Sequence, residues 1–176
     1  VSIFFSAHGT YDQLHLYDDD LWDHELSAVV SQLESQSVLV VISACHSGSF
    51  LDVADSISGG ILTTACTAEE STYDIALFAN TIYVEYFVDR GMSQGLADED
   101  QDGIVTVEEA HQYATENCNN PPGALSSTHP QIQDKYPGQL NLSQPIHAPW
   151  FTSLPLTLLA TILLVKFLRR KQAPKA

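Results

Sequence analysis

The sequence predicts an α/β fold with a mostly parallel sheet, followed by a C-terminal transmembrane helix. Residues 38–42 are five aliphatic residues in succession, which is typical of a strand buried on both faces of a parallel sheet. Residues 1–6 are a second strand-like run, and the helical pattern of residues 23–35 between the two predicts a β-α-β unit. Residues 150–168 are almost wholly apolar, with Lys166 as the only charged residue among them.

The remaining elements follow from local patterns. Asp23 is the expected N-cap of the helix over residues 23–35, and residues 10–23 before it are polar and acidic, which predicts a loop or a short hairpin. The later segments predict a short helix over residues 50–57, a strand over 61–66, a polar loop over 67–74, an aromatic helix over 76–88 and a helix over 107–117.

Charge is distributed unevenly along the 176 residues. Residues 1–150 contain all 22 acidic residues and only two basic ones, Arg90 and Lys135, which gives this part a formal charge of −20. The residues that follow carry the remaining five positive charges. Because so acidic a body repels the phosphate backbone, the sequence predicts no nucleic-acid partner. The chain has no initiator Met and begins inside an apparent strand, so we interpret it as an N-terminally truncated fragment.

A histidine and a cysteine follow the two predicted strands. His8-Gly9 comes after the first strand, and Cys45 lies in a run of small residues after the second. The carboxyl ends of neighbouring parallel strands meet at one edge of a sheet, and an imidazole beside a thiol can generate the thiolate nucleophile. A metal site is the competing interpretation, but His8, Cys45, His46 and Cys66 lack regular ligand spacing, so no catalytic metal is expected.

These motifs resemble the caspase-like (clan CD) cysteine peptidases, and most closely their legumain and GPI-transamidase branch, peptidase family C13. The resemblance covers residues 1–140. It is carried by His8-Gly9, by Ser43-Ala44-Cys45-His46-Ser47-Gly48-Ser49-Phe50, by Thr63-Thr64-Ala65 and by Glu70-Ser71-Thr72-Tyr73. It implies a caspase-like three-layer fold that lacks its first two strands and one helix. It also implies a closing segment near residues 129–134, expected as a last edge strand.

The resemblance also assigns roles to individual residues. Cys45 is the expected nucleophile, His8 the expected base, and the backbone N–H groups of Cys45 and Gly9 the expected oxyanion hole. The residues expected to bind substrate are Ser43, Ser71 and Thr72, although residues 67–74 can equally be read as an ordinary polar loop.

Specificity departs from the pattern of legumain. The acidic pocket residue two positions before the nucleophile is Ser43 here, and a second expected acidic residue falls near the apolar residues 77–79. A caspase-type preference for Asp needs pocket arginines, and the body of the chain offers only Arg90. A preference for Asn or Asp is therefore not expected, and a basic or small uncharged residue remains open.

Residues 98–109 have the spacing of an EF-hand calcium loop. Carboxylates supply hard oxygen ligands, Gly103 permits the turn, and the final glutamate closes the site. The expected ligands are Asp98, Asp100, Asp102, the Ile104 carbonyl, Thr106 and Glu109. The alternative is an acidic loop that binds calcium weakly or not at all.

The C-terminal region predicts a membrane anchor. Residues 141–149 are the expected stalk, residues 150–168 the transmembrane helix and residues 169–176 a short basic tail. The basic tail is expected in the cytoplasm and the catalytic domain outside it. In such a compartment Cys66 and Cys118 are free to pair, although Cys66 can equally remain a buried thiol.

Three functions remain open at this stage. The leading prediction is a membrane-anchored cysteine endopeptidase that acts on protein or peptide substrates through a thioester. The second is a transamidase that attaches protein tails to an amine acceptor, for which a membrane complex would be the partner. The third is a non-catalytic, calcium-binding membrane module.

Overall fold

The structure is a computed structural model, which describes residues 1–75, 80–123 and 125–142. The strands are β1 (Ser2–Ser6), β2 (His8–Thr10), β3 (Gln13–His15), β4 (Asp20–Trp22), β5 (Val38–Ser43), β6 (Gly60–Thr64), β7 (Asp74–Ile75), β8 (Asn80–Thr81) and β9 (Gln131–Asp134). The helices are α1 (Asp23–Val30), a 3-10 helix (Ser47–Ser56), α2 (Ile82–Val84), which continues as a π-helix (Glu85–Ser93), and α3 (Val107–Asn119).

A four-stranded sheet in the order β1-β5-β6-β9 forms the centre of the fold. The pairs β1–β5 and β5–β6 are parallel, and β9 runs antiparallel at the edge. All six residues of β5 are buried, as its aliphatic sequence predicts for a strand covered on both faces. The mostly parallel sheet expected from the sequence is therefore confirmed.

Alternate residues of the sheet face two separate hydrophobic cores. Leu39 and Val41 of β5 belong to the core that contains α2 and α3 side chains such as Tyr83 and Ala110. Val38, Val40 and Ile42 belong to the other core, which they share with residues of α1 and of the 3-10 helix. Since helices cover both faces of the sheet, the described residues have the layering that fits a caspase-like fold.

The acidic segment after β1, for which a loop or a short hairpin was predicted, forms a three-stranded antiparallel sheet, β2-β3-β4. Leu14 in its middle strand is fully buried in the core of α1 and the 3-10 helix. His8, His15 and Asp20 are cross-strand neighbours in this sheet, so their side chains lie on one face. The sheet therefore presents His8 opposite the face that packs on the core.

Two helices differ from the sequence prediction. Helix α1 ends at Val30 instead of residue 35, because the Ser31 hydroxyl and the Gln32 amide both donate to the Ala28 carbonyl, at 3.1 and 2.7 Å. The Gln32 N–H turns to the Val29 carbonyl instead, so the helix tightens and stops. The helix predicted from residue 76 begins at Ile82, where the Thr81 hydroxyl caps it by accepting from the Val84 N–H. Residues 76–79 lie outside the described residues.

A polar pair is buried between α2 and α3. The Tyr83 hydroxyl lies 3.0 Å from Nδ1 of His111, and Nε2 of His111 lies 3.2 Å from the Thr115 hydroxyl. Tyr83 is fully buried and His111 is 7 % exposed. Burial lowers the pKa of His111 to about 4, because the protonated ring would lose its hydration. His111 is therefore a neutral, hydrogen-bonded part of the core near pH 7.

The predicted stalk, transmembrane helix and basic tail fall almost wholly outside the described residues, which end at residue 142. Among the described residues, no helix combines the length and the apolar character that crossing a bilayer requires.

Candidate active site

The ends of β1 and β5 lie side by side. Their parallel pairing continues to Ser6 opposite Ser43, and the Ala7 N–H then donates to the Ser43 carbonyl at 3.2 Å. His8 and Cys45 each lie two residues beyond this last pair. The strands therefore deliver the two residues to the same edge of the sheet, with His8 exposed and Cys45 partly exposed.

Gly9 brings β2 into contact with the peptide that follows Cys45. A Cβ atom on Gly9 would lie 2.6 Å from the Cys45 carbonyl oxygen and 3.0 Å from the Ala44 Cβ. The first distance is too short for any side chain, and the atom it meets belongs to the backbone. The His-Gly pair thus lies directly against the cysteine turn.

The turn after Cys45 is held by its neighbour His46, which has a left-handed backbone (φ 57°). The His46 N–H donates to the Glu70 carbonyl at 2.7 Å, and its Nδ1 donates to the Ala68 carbonyl at 2.8 Å. The His46 carbonyl in turn accepts from both the N–H and the hydroxyl of Ser49. These bonds tie the turn to the loop after β6 and begin the 3-10 helix.

The loop after β6, residues 67–73, forms the opposite wall of this edge. The Cys45 thiol donates to the Thr72 carbonyl, with Sγ and O 3.3 Å apart. A Cβ on Gly48 would lie 2.5 Å from the Ala68 nitrogen, so the cysteine turn and the loop pack backbone against backbone. The loop after β6 therefore lies directly against the Cys45 sulfur.

A comparison with protein families bears on this arrangement. A family model described as the peptidase C13 family matches residues 1–138. The chain belongs to the peptidase C13 family. The predicted resemblance to legumain and the GPI-transamidase subunit is thereby confirmed. Membership supports a cysteine peptidase or transamidase-like function with protein or peptide substrates. A comparison with curated proteins finds no match.

The substrate-binding residues predicted for this C13 chain occupy different environments. Thr72 contacts the Cys45 thiol through its carbonyl, and Ser71 beside it is exposed. Ser43 is fully buried, and its hydroxyl lies 2.7 Å from the hydroxyl of Thr81. The structure thus places Gly9 and Thr72 against Cys45 and puts His8 at the same edge of the sheet, whereas the Ser43 side chain is buried.

Two polar residues beside the site were not singled out by the sequence analysis. Glu70 accepts a hydrogen bond from the ring of His129, which precedes β9, and its carboxylate also accepts from the backbone N–H groups of Thr67 and His129 at 3.1 and 3.2 Å. Partial burial opposes ionisation, but these bonds together lower the pKa of Glu70. Both residues belong to motifs that carried the resemblance, but 59 positions separate them in sequence.

All three cysteines are free thiols. Cys66 is fully buried, and its Sγ lies 3.4 Å from the Ala44 carbonyl and 3.3 Å from the Glu70 carbonyl. Burial raises the pKa of Cys66, and it raises the pKa of Cys118 to about 12. Neither thiol has the partly exposed position that Cys45 has, so Cys45 is the accessible one.

The predicted calcium loop has a compact arrangement of carboxylates. Oxygen atoms of Asp98, Asp100 and Asp102 lie within 4.8 Å of one another, close enough to share one ion. Hydrogen bonds within the loop stabilise its turn, since the Asp98 carboxylate accepts from the backbone N–H groups of Asp102 and Gly103. Three hard oxygen donors at this spacing fit Ca²⁺.

The last position of that loop begins helix α3. The Glu109 carboxylate accepts from the N–H and the hydroxyl of Thr106, at 2.8 and 2.9 Å, and Thr106 accepts from the Glu109 N–H in return. This capping box fixes the C-terminal end of the loop. Slight burial opposes ionisation, but these bonds, together with N–H groups of Glu99 and Asp100, lower the pKa of Glu109.

Proposed function

We propose that this C13 protein is a cysteine endopeptidase with Cys45 as its nucleophile and His8 as its general base. The proposal rests on one observation. The registered ends of β1 and β5 put His8 and Cys45 at the same edge of the sheet, with Gly9 packed against the Cys45 peptide. No other described cysteine is accessible.

The chemistry requires a proton shuttle and an acyl-enzyme. His8 takes the proton of the Cys45 thiol, and the thiolate attacks the carbonyl carbon of a peptide bond. The N–H groups of Cys45 and Gly9 stabilise the resulting oxyanion. His8 then protonates the leaving amine, which departs as the thioester forms. Water, deprotonated by His8, attacks the thioester and releases the acid and the free thiol.

The charges of the described residues disfavour an acidic substrate residue, and a basic or small uncharged one remains open. The described residues contain only two Lys or Arg side chains, and each already pairs with a carboxylate, Arg90 with Glu85 at 2.8 Å and Lys135 with Asp55. A pocket that binds an acidic substrate residue would need an arginine, and the arginine among the described residues, Arg90, already pairs with Glu85. A pocket for Asn in the manner of legumain lacks its carboxylate at Ser43.

Labelling with a thiol-reactive peptide probe tests the nucleophile and the base together. We expect labelling of the wild-type protein to be lost in Cys45→Ala and at least tenfold slower in His8→Ala, since the base generates the thiolate. His24→Ala is the matched control, because His24 is an exposed histidine at the start of α1. Labelling that persists in Cys45→Ala, or that His8→Ala leaves unchanged, would refute the assignment.

Transamidation is the second candidate, because the family includes transamidases. The same thioester would then be attacked by an amine in place of water. Peptide cleavage in the presence of a small amine such as hydroxylamine separates the two. Free acid as the main product supports hydrolysis, whereas a product that carries the amine in preference supports the transamidase.

The proposal includes a calcium ion and a membrane anchor. Asp98, Asp100, Asp102, the Ile104 carbonyl, Thr106 and Glu109 would hold the ion, which supplies structural cross-linking of the loop rather than a step of the reaction. The apolar residues 150–168 would span the membrane, with the basic residues 169–176 in the cytoplasm. A calcium-binding membrane module without catalysis is the remaining alternative, and the His8-dependence of probe labelling separates it.

A further inference from the structure

A segment between α3 and β9 lies against the loop that contacts the Cys45 thiol. We call this segment, residues 125–130, the strap, and residues 67–73 the substrate loop. The Tyr73 hydroxyl donates to the Ser126 carbonyl at 2.5 Å, and Glu70 pairs with His129. Two side chains of the substrate loop are therefore bonded to the strap.

The strap is itself anchored at both ends. The Thr128 N–H donates to the Cys118 carbonyl at 3.0 Å, and the Ser127 hydroxyl donates to the Asn119 carbonyl at 2.8 Å, which fixes the strap to the end of α3. At its other end Gln131 pairs with Thr64 as the first residue of β9. His129 is thus presented by a fixed part of the scaffold although its side chain is half exposed.

Glu70 is bonded on both sides. Its carboxylate accepts from the N–H groups of Thr67 and His129 and pairs with the His129 ring, whereas its main-chain carbonyl accepts from the His46 N–H and from the Cys66 thiol. The side chain therefore joins the substrate loop to the strap, and the backbone joins the same loop to the turn that carries Cys45. Two residues further on, the Thr72 carbonyl accepts from the nucleophile itself.

We propose that Glu70 and His129 are positioning residues of this enzyme, which hold Ser71 and Thr72 in register with Cys45. The inference rests on the proposed peptidase function and deepens it. Neither residue needs to touch the reacting atoms. A carboxylate that accepts three hydrogen bonds, two of them from backbone N–H groups, holds a loop more firmly than the loop would be held without them.

Paired substitutions test this role in the full chain. Glu70→Ala removes every side-chain bond, whereas Glu70→Gln keeps one carbonyl oxygen for the two backbone N–H groups and loses the charge that faces His129. His129→Gln removes the same pair from the other side. Glu69→Gln is the matched control, because Glu69 is the exposed neighbour on the same loop and its substitution makes the same change in charge.

Two measurements are made on each protein, with Cys45→Ala alongside. The first gives kcat and KM for cleavage of an internally quenched peptide pool. The second gives the rate of Cys45 alkylation by iodoacetamide, a reaction that needs the thiolate but does not need the substrate loop to bind a peptide. We expect Glu70→Ala to lower kcat/KM about tenfold or more, mainly through KM, and Glu70→Gln and His129→Gln about threefold, without a fall in the alkylation rate. The double variant of Glu70→Gln and His129→Gln should be no worse than about twofold below either single one.

Other outcomes would overturn either the positioning role of Glu70 and His129 or the proposed peptidase function. If Glu70→Ala matches Glu69→Gln in kcat/KM, the positioning role is overturned and the peptidase stands. If the alkylation rate and the thermal stability of Glu70→Ala fall in proportion to its kcat/KM, Glu70 only supports the fold and the inference is again overturned. The milder variant Glu70→Gln provides an independent check of that result. If the wild-type protein shows no cleavage that depends on Cys45, the proposed function fails, and this inference fails with it.

Discussion

The buried His111 should make the stability of the protein depend on pH in a way that one substitution removes. The ring is 7 % exposed, and burial lowers its pKa to about 4, against about 6.5 in an unfolded chain. At pH 7.5 the ring is neutral in nearly all molecules of both states, so it causes almost no pH dependence there. Between pH 6.5 and 4 the unfolded chain binds a proton that the folded protein rejects, and stability falls as the pH falls.

The magnitude follows from the size of the pKa difference. Each pKa unit corresponds to about 1.36 kcal/mol, so the full penalty below pH 4 is about 3 kcal/mol, of which about 2 kcal/mol has developed by pH 5. This is a large share of the 5–15 kcal/mol by which domains of this kind are typically stable. Titrating carboxylates act in the same window, but they act equally on a variant that lacks only the imidazole.

The perturbation is therefore His111→Gln, measured by urea unfolding at several pH values between 7.5 and 5. Gln retains a polar side chain for Tyr83 and Thr115 but cannot titrate. At pH 7.5 the variant should be less stable than the wild type by about 1 kcal/mol, the net value of a hydrogen bond. At pH 5 the difference in unfolding free energy between the two proteins should have changed by about 2 kcal/mol in favour of the variant.

The control is His24→Gln, which makes the same substitution at an exposed histidine instead of the buried one. If the unfolding free energies of wild type and His111→Gln run parallel between pH 7.5 and 5, His111 does not carry the proton difference. The burial argument would then be wrong.

Three further predictions concern the site, the loop and the anchor. Gly9→Ala should abolish labelling of Cys45 by the peptide probe, because its Cβ would lie 2.6 Å from the Cys45 carbonyl oxygen; labelling at the wild-type rate would contradict the close approach. Glu109→Gln should weaken Ca²⁺ binding at least tenfold in calorimetry, since the residue closes the loop, and unchanged affinity would remove the calcium assignment. A chain that ends at residue 149 should leave the membrane fraction on sedimentation, and its retention there would exclude residues 150–168 as the anchor.

The sequence was most informative where the chain forms the sheet. The short, β-branched aliphatic run of β5 favours a buried strand, and the motifs that follow β1 and β5 were visible as residues at strand ends. For the segment of β2, β3 and β4 the sequence predicted only a loop or a short hairpin, because three-residue polar strands have too little periodicity to be told apart. The early end of α1 depends on which donor takes the Ala28 carbonyl, and propensity alone does not decide such a competition.

The candidate site divides in the same way. His8 and Cys45 were predicted because each follows a recognisable strand and parallel pairing brings those strand ends to one edge, and the role of Gly9 was implied by the family resemblance. The link between Glu70 and His129 joins residues 59 positions apart, and it exists only because β9 pairs with β6 and thereby brings the strap against the substrate loop. A contact that depends on the antiparallel edge of a sheet has no local signature, even when both residues stand in familiar motifs.

The positions of His8 and Cys45 at the end of the sheet depend on each other, because both are set by how the strands before them pair. His8 follows β1 as the first residue of β2, Cys45 follows β5, and β6 leads into the loop that contacts the thiol through Thr72. In a strand, a shift of one residue turns each side chain to the opposite face, so the relation between imidazole and thiol is set by the register of β1 against β5. That register is held by the buried aliphatic residues of β5, which divide between two cores. The hydrophobic residues that make the strand therefore also set the geometry of the proposed dyad.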